Sequence, residues 1–178
     1  MLYKNHLLVS NAVAIPLMEM TDTLTIGGVL ALSLGVLIPD IDKPKSYIGR
    51  RTRGVSDIVG GVFGHRGLTH SLTFVVFIGM VVIPLTSSLG IASIGQWFTI
   101  GVFLHILEDS FSNRGVSWLL PLSKKKYHVP LYTTGGLFES LIGLAALIWL
   151  IIFVLHHYFG WNHTAVSSLG RLATNFNS

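Results

Sequence analysis

The sequence predicts an all-α protein, a multi-span transmembrane bundle of about five membrane helices. Three observations predict it. The chain is 51% hydrophobic and only 11% charged, with a mean hydropathy of +0.64, where a soluble domain carries about 25% charged residues. Apolar runs approaching the ~20 residues needed to cross a hydrocarbon core recur along its length. Lys and Arg, finally, are concentrated in alternate connections between those runs.

The first apolar segment, His6 to Met18, is short, and it reads as a tilted span or an embedded half-helix. Asn11 and Pro16 interrupt it and no small-residue cleavage site follows, so it is expected to be retained and not cleaved as a signal. Leu24 to Pro39, Ser71 to Ser88 with Pro84 as a kink, and Ile91 to Leu107 read as spans. Ser140 to Phe159 is the cleanest of them. The membrane-embedded domain is placed at residues 1–160, with a C-terminal tail at 161–178.

With five crossings, the N-terminus and the loops Asp40 to His70 and Asp109 to Glu139 share one side. Lys4, Lys43, Lys45, Arg50, Arg51, Arg53, Arg66, Arg114, Lys124, Lys125 and Lys126 fall there and only Arg171 falls opposite, 11 of the 12 basic residues against 1. The positive-inside rule makes that side cytoplasmic. The net charge of +4 is then a matter of topology and anionic headgroups, and no nucleic-acid partner is expected.

That topology gathers the ionisable residues at the segment ends. His6, Asp40, Asp42, His65, His70, His105, Asp109 and Glu139 all come to the cytoplasmic side, although Lys and Arg alone set the orientation. An ionisable group at membrane depth costs roughly 2.5–3.5 kcal/mol and marks function by default. The chain has no cysteine, so disulfides and thiolates are excluded. A metal held here has nitrogen and oxygen ligands, which suits Zn2+ first, with Mn2+ or Mg2+ as further candidates.

Each motif also has a plainer reading. Asp40 and Asp42 in Pro39-Asp40-Ile41-Asp42 can both reach one metal, or can be solvated acids paired with Lys43 and Lys45 after a helix stop. In Gly64-His65-Arg66-Gly67-Leu68-Thr69-His70-Ser71, two histidines flank a guanidinium suited to phosphate. Thr69 and Ser71 can orient the imidazoles, or Ser71 can cap the next helix. His105 and Asp109, four apart, share a helical face as ligands or as a hydrogen-bonded pair. Glu108 faces elsewhere, solvated or supporting a ligand. His6 and Glu139 draw their weight from lying on the same side, and Glu139 also suits a helix N-terminus electrostatically. His128 is an outside candidate, whereas His156, His157 and His163 fall opposite and read as interfacial.

Other chemistries fit less well. No Gly-x-Ser-x-Gly elbow or phosphate loop is present. His105-x-x-x-Asp109 superficially matches a lipid phosphate phosphatase, but Phe98 to Leu104 lacks the arginine that such an enzyme needs.

The segments LIPDIDKPKSYIGRR (37–51), FGHRGLTHSL (63–72) and HILEDSFSNRGV (105–116) resemble the YdjM family of bacterial inner-membrane proteins, over about the first 140 residues. That family is linked to metal-dependent hydrolysis and, in some members, to LexA regulation. It is grouped distantly with zinc-dependent phospholipase C and P1 nuclease, helical enzymes with zinc clusters held by His, Asp and Glu. The likeness implies a ligand pair at His105 and Asp109. Asp40 or Asp42, a histidine of the 64–71 motif, His6 and Glu139 would complete the shell. The second His-x-x-x-Glu pair of those enzymes is missing, since Tyr127 to Glu139 holds only His128 and Glu139. One or two ions are therefore expected instead of three.

The expected function is a membrane-bound metal-dependent hydrolase, in which metal-activated water cleaves a phosphoester of a phospholipid or lipid-linked phosphate. Lipid is thus both environment and substrate. Asp42 is a candidate general base, and Arg66 would steady charge on the phosphate. The alternatives are a metal-binding or ion-transport protein without hydrolysis, and a purely structural polar network.

Overall fold

The computed structural model describes residues 1–42, 46–52, 54, 57 and 67–159. Among them are five α-helices, α1 (Tyr3–Met20), α2 (Ile26–Leu37), α3 (Leu72–Ser88), α4 (Ala92–Ser110) and α5 (Leu137–Phe159), with 3-10 turns at Ile38–Asp42 and Leu68–His70. The described residues contain no β-strand, only two isolated bridges. The helices pack in the order α3–α4–α2–α1–α5, and α4 also touches α1.

In α1 the buried positions His6, Ser10, Ala14 and Met18 recur every fourth residue, one turn apart on a single face. The stripe is polar where it meets the end of α4 and apolar where Ala14 and Met18 join Leu32, Val36 and Trp97 in a hydrophobic core. In α2, Gly28, Ala31, Leu32, Gly35 and Val36 form the same kind of stripe. Thr25 starts that helix, its hydroxyl accepting from Gly28 N at 2.9 Å. A second core of Val75, Val102, Ile106 and Val116 joins α3 to α4 and to the connection that follows.

Two glycines set the spacing of α2 and α4. A Cβ on Gly35 would overlap the Phe98 carbonyl, and one on Gly101 would overlap the Leu32 carbonyl. The two backbones therefore pass in direct contact, as small residues permit in membrane bundles.

Pro16 lies inside α1, which runs through it unbroken. Proline has no N–H, so the Ala12 carbonyl four residues earlier loses its helical donor. Trp149 of α5 fills that place, its Nε1–H donating to Ala12 O at 3.1 Å. This is the usual compensation in lipid, where a freed backbone group finds a neighbouring helix.

Of the runs marked as spans, Leu137–Tyr158 in α5 is long and apolar enough to cross a membrane, and Leu72–Ser88 is a shorter apolar helix. The run Leu24 to Pro39 does not become one long helix. α2 stops after 12 residues, about 18 Å at 1.5 Å per residue, short of a ~30 Å core. The chain then tightens into the 3-10 turn containing Pro39, which buries Asp40 and Asp42. Large apolar side chains remain exposed along α3 (Phe77, Met80, Leu85) and along α5 (Leu144, Ile148, Ile152).

The connection 111–136 folds back over the end of α4. Ser112 bridges to Tyr132 and Val116 to Tyr127, and Tyr132 Oη donates to Glu108 O at 2.6 Å. Gly115 turns this segment with φ +62, and a Cβ there would meet the Tyr127 carbonyl.

Candidate metal centre

Two helices and two short turns bring a polar cluster to one end of the bundle. His6 comes from the first turns of α1, and His105, Glu108 and Asp109 from the last turns of α4. Asp40 and Asp42 come from the turn after α2, and His70 from the turn that ends at the Ser71 cap of α3. All are buried, His70 and Asp109 completely.

Each of the three imidazoles has its Nδ1 committed. His105 Nδ1 lies 2.6 Å from Val36 O. A carbonyl oxygen only accepts, so Nδ1 carries the proton and the neutral ring keeps its lone pair on Nε2. The close α2–α4 crossing at Gly35 and Gly101 is what brings Val36 O within reach. His6 Nδ1 lies 2.6 Å from Glu108 Oε2, and the other Glu108 oxygen accepts from Ser10 Oγ at 2.7 Å. For His70, Thr69 Oγ1 donates to Asp42 Oδ2 at 2.8 Å and is left to accept from His70 Nδ1 at 3.1 Å. Metal-ligating histidines are held in this way, through an acceptor on the nitrogen that faces away from the ion.

The three Nε2 atoms are buried and make no hydrogen bond. They face carboxylate oxygens 3.4 to 3.7 Å away. His6 Nε2 is 3.4 Å from Asp109 Oδ1, and His70 Nε2 is 3.6 Å from Asp40 Oδ1 and 3.7 Å from Asp109 Oδ2. His105 Nε2 is 3.7 Å from Asp40 Oδ1. Two ligands at 2.0–2.1 Å from a tetrahedral ion stand about 3.3–3.4 Å apart, and the separations here, 3.4 to 3.7 Å, lie close to that. Two ligand groups result, His6–His105–Asp109 and Asp40–His70–His105, each with donor atoms within 4.8 Å of one another. They share His105, whose ring stacks on that of His6 at 4.0 Å. The Asp109 carboxylate faces both, Oδ1 toward His6 and Oδ2 toward His70. The Met1 amino group also donates to Asp109 Oδ1 at 2.6 Å.

The electrostatics favour a cation. Burial pushes the His70 imidazole toward its neutral form, but the nearby carboxylates of Asp40, Asp42 and Asp109 together outweigh burial and hold its pKa above the ordinary histidine value. The carboxylates that attract a proton there would equally stabilise a divalent ion. The donor set of imidazole nitrogen and carboxylate oxygen suits Zn2+, Mn2+ or Fe2+ by its chemistry.

The model of the family described as YdjM inner membrane protein matches residues 1–172. The chain belongs to the YdjM family. It is 33% identical over 163 residues to inner membrane protein YdjM of Escherichia coli (strain K12), covering 82% of this chain and 79% of that protein. It is 36% identical over 118 residues to YvsG of Bacillus subtilis (strain 168), covering 65% of this chain and 69% of that one. A shorter match, 33% over 76 residues, is to inner membrane protein YbcI of Escherichia coli (strain K12), covering 40% and 44%. No solved structure matches the chain.

In this YdjM-family chain the structure brings together five of the expected ligands, His6, Asp40, His70, His105 and Asp109. Asp42, expected as a ligand or general base, contacts Thr69 on the Nδ1 side of His70, and that contact orients the ring. Glu139, expected as a ligand, belongs to neither group. Its Oε1 accepts from Leu2 N at 2.6 Å and Asn5 Nδ2 at 2.7 Å, and its Oε2 accepts from Gly135 N at 2.8 Å. It fastens the start of α1 to the start of α5, which in turn positions His6. Ser71 caps α3, accepting from Phe74 N. His65 and Arg66 lie outside the described residues.

Glu108 had two readings in the sequence, solvated or supporting a ligand, and the second is the one the fold realises. It is buried, not solvated, and holds His6. Its signal was the spacing of His6 and Ser10, four apart on α1, which presents two donors to one acceptor on the facing helix.

Proposed function

We propose that the chain is a multi-pass protein of the bacterial inner membrane that holds one or two divalent ions, Zn2+ first, at its cytoplasmic face. We propose further that it hydrolyses a phosphoester of a phospholipid or lipid-linked phosphate. The observation that carries this reading is the set of three buried imidazoles with Nδ1 pinned and Nε2 lone pairs converging on Asp40 and Asp109. His6, His70, His105, Asp40 and Asp109 would hold the metal, which when bound supplies Lewis-acid activation for hydrolysis. Val36 O, Glu108 and the Thr69–Asp42 pair fix the tautomers and orientation of the rings. Arg66 is the phosphate-steadying group suggested by the motif around it. The family's inner-membrane description and the exposed apolar faces of α3 and α5 support the location. The 11-to-1 distribution of basic residues supports the orientation.

The test is hydrolysis of phospholipid and phosphodiester substrates by purified protein loaded with Zn2+ or Mn2+, beside Asp109→Ala. Metal-dependent turnover in the wild type and its loss in the variant are expected. Absence of turnover in both, with metal bound, would remove the hydrolase reading and leave a metal-binding or transport protein.

A further inference from the structure

The connection after α4 carries a feature that the metal centre does not use. Between Asp109 and Glu139 the chain has no acidic residue, but it holds Arg114 and the triplet Lys124, Lys125 and Lys126. The triplet is exposed. It follows a tight turn closed by Ser123 N to Leu119 O at 2.9 Å and Leu120 N to Ser117 O at 3.2 Å. That turn projects two apolar side chains outward, Leu119 at 43% exposed and Leu122 at 90%.

The turn is fixed to the apolar helix α3 at the point where α3 begins. Leu72 N donates to Trp118 O at 2.9 Å, and Thr73 Oγ1 donates to Leu120 O at 2.6 Å. Immediately beyond lies the exposed apolar side of α3, including Phe77 and Met80. If those residues face acyl chains, Leu119 and Leu122 stand at the hydrocarbon boundary and the lysines stand at the depth of phosphate headgroups. An apolar tip followed by a basic cluster is the pattern of an interfacial anchor, in which burial of apolar area and attraction to anionic lipid add.

We infer that Leu119–Lys126 is a membrane-surface anchor, in which Leu122 enters the interface and Lys124, Lys125 and Lys126 bind anionic phospholipid headgroups. The inference needs the membrane but not the metal or the hydrolysis. It adds a lipid contact outside the candidate metal centre, on the same connection whose returning part, through Tyr132, touches the backbone of Glu108.

The chain has no native cysteine, so Leu122→Cys gives a single labelling site on the full-length protein. Labelled with an environment-sensitive fluorophore in phosphatidylcholine nanodiscs containing phosphatidylglycerol, it should emit to the blue and resist an aqueous quencher. In a second measurement, phosphatidylglycerol should raise the melting temperature of the detergent-solubilised protein more than phosphatidylcholine does, and salt should weaken the effect. Lys→Gln at 124, 125 and 126 should raise the lipid concentration for half-maximal stabilisation by about fivefold per lysine, following ~1 kcal/mol for each basic group at an anionic surface. Full quenching of the Leu122→Cys label in nanodiscs would overturn the proposal. So would an unchanged phosphatidylglycerol response in the triple variant, or an equal stabilisation by inorganic phosphate, which would make the lysines a site for free anions.

Discussion

Glu108 meets His6 on the Nδ1 side, away from the proposed ion position, and its effect should pass through that ring. Glu108→Ala leaves His6 Nδ1–H without its acceptor, and loss of such a partner typically costs about 10–100-fold in metal affinity. Glu108→Gln keeps a carbonyl oxygen and should cost less. Competition titration against a chelator measures both. A proton competes with the metal at His70. The raised pKa of this imidazole means that it stays protonated above the ordinary value of 6.5 until the pH exceeds its own. A ligand must be neutral to bind metal, so affinity should climb with pH through and beyond 6.5, with proton release measurable by calorimetry in different buffers. His6, Asp40, His70, His105 and Asp109 were legible in the sequence because each is an ionisable group at an apolar boundary. For Glu108 the sequence leaves two readings open. A helical wheel turns it away from Asp109, and one helix cannot reveal that α1, α2 and α3 all pack around α4 and leave the neighbouring face buried.

At the scale of elements, two tertiary contacts make sharp predictions. Trp149→Phe removes the donor that Pro16 makes necessary and leaves the Ala12 carbonyl buried without it, at about 1–3 kcal/mol. In a Pro16→Ala background the helix supplies its own N–H to Ala12, so the same substitution should cost less. Unfolding in a common detergent, measured as a double-mutant cycle, checks this. Gly101→Ala places a methyl against the Leu32 carbonyl. Overpacking of that kind costs about 1–3 kcal/mol, and by parting α2 from α4 it should also weaken metal binding through Val36 O and His105. Helix content and order followed well from the apolar runs. The end of α2 did not. Counting apolar residues from Leu24 to Pro39 gives the length of a hydrophobic stretch, whereas the α-helical ladder ends at Leu37 and the 3-10 turn takes over.

For the whole molecule, the distribution of basic residues predicts an orientation. The chain lacks cysteine, so single cysteines at exposed Lys125 and Ser88 can be labelled selectively. In inside-out vesicles an impermeant maleimide should modify Lys125→Cys but not Ser88→Cys, and in intact spheroplasts the pattern should reverse. Labelling of both positions from one side would mean that α3 and α4 do not carry the chain across as a pair. The gathering of His and Asp residues at one end was legible because topology rests on Lys and Arg alone. The distinction between groups that face the ion position and groups that hold the imidazoles was not, because it depends on which nitrogen of each ring meets an acceptor. Asp42 and Glu139 show the difference: their positions in the sequence suited ligands, while their contacts in the fold are with Thr69 and with three N–H donors at the α1–α5 junction.

The central claim is that His6, His70 and His105 aim their Nε2 lone pairs at one or two metal positions that share His105. Elemental analysis of purified wild type, His105→Ala and His157→Ala tests it most directly, since His105 belongs to both ligand groups and His157 pairs with Glu19 between α1 and α5, outside both groups. The wild type and His157→Ala should carry stoichiometric divalent metal, and folded His105→Ala should have lost it. A folded wild type that stays metal-free after incubation with Zn2+ and Mn2+, or a His105→Ala protein with unchanged metal content, would contradict the account.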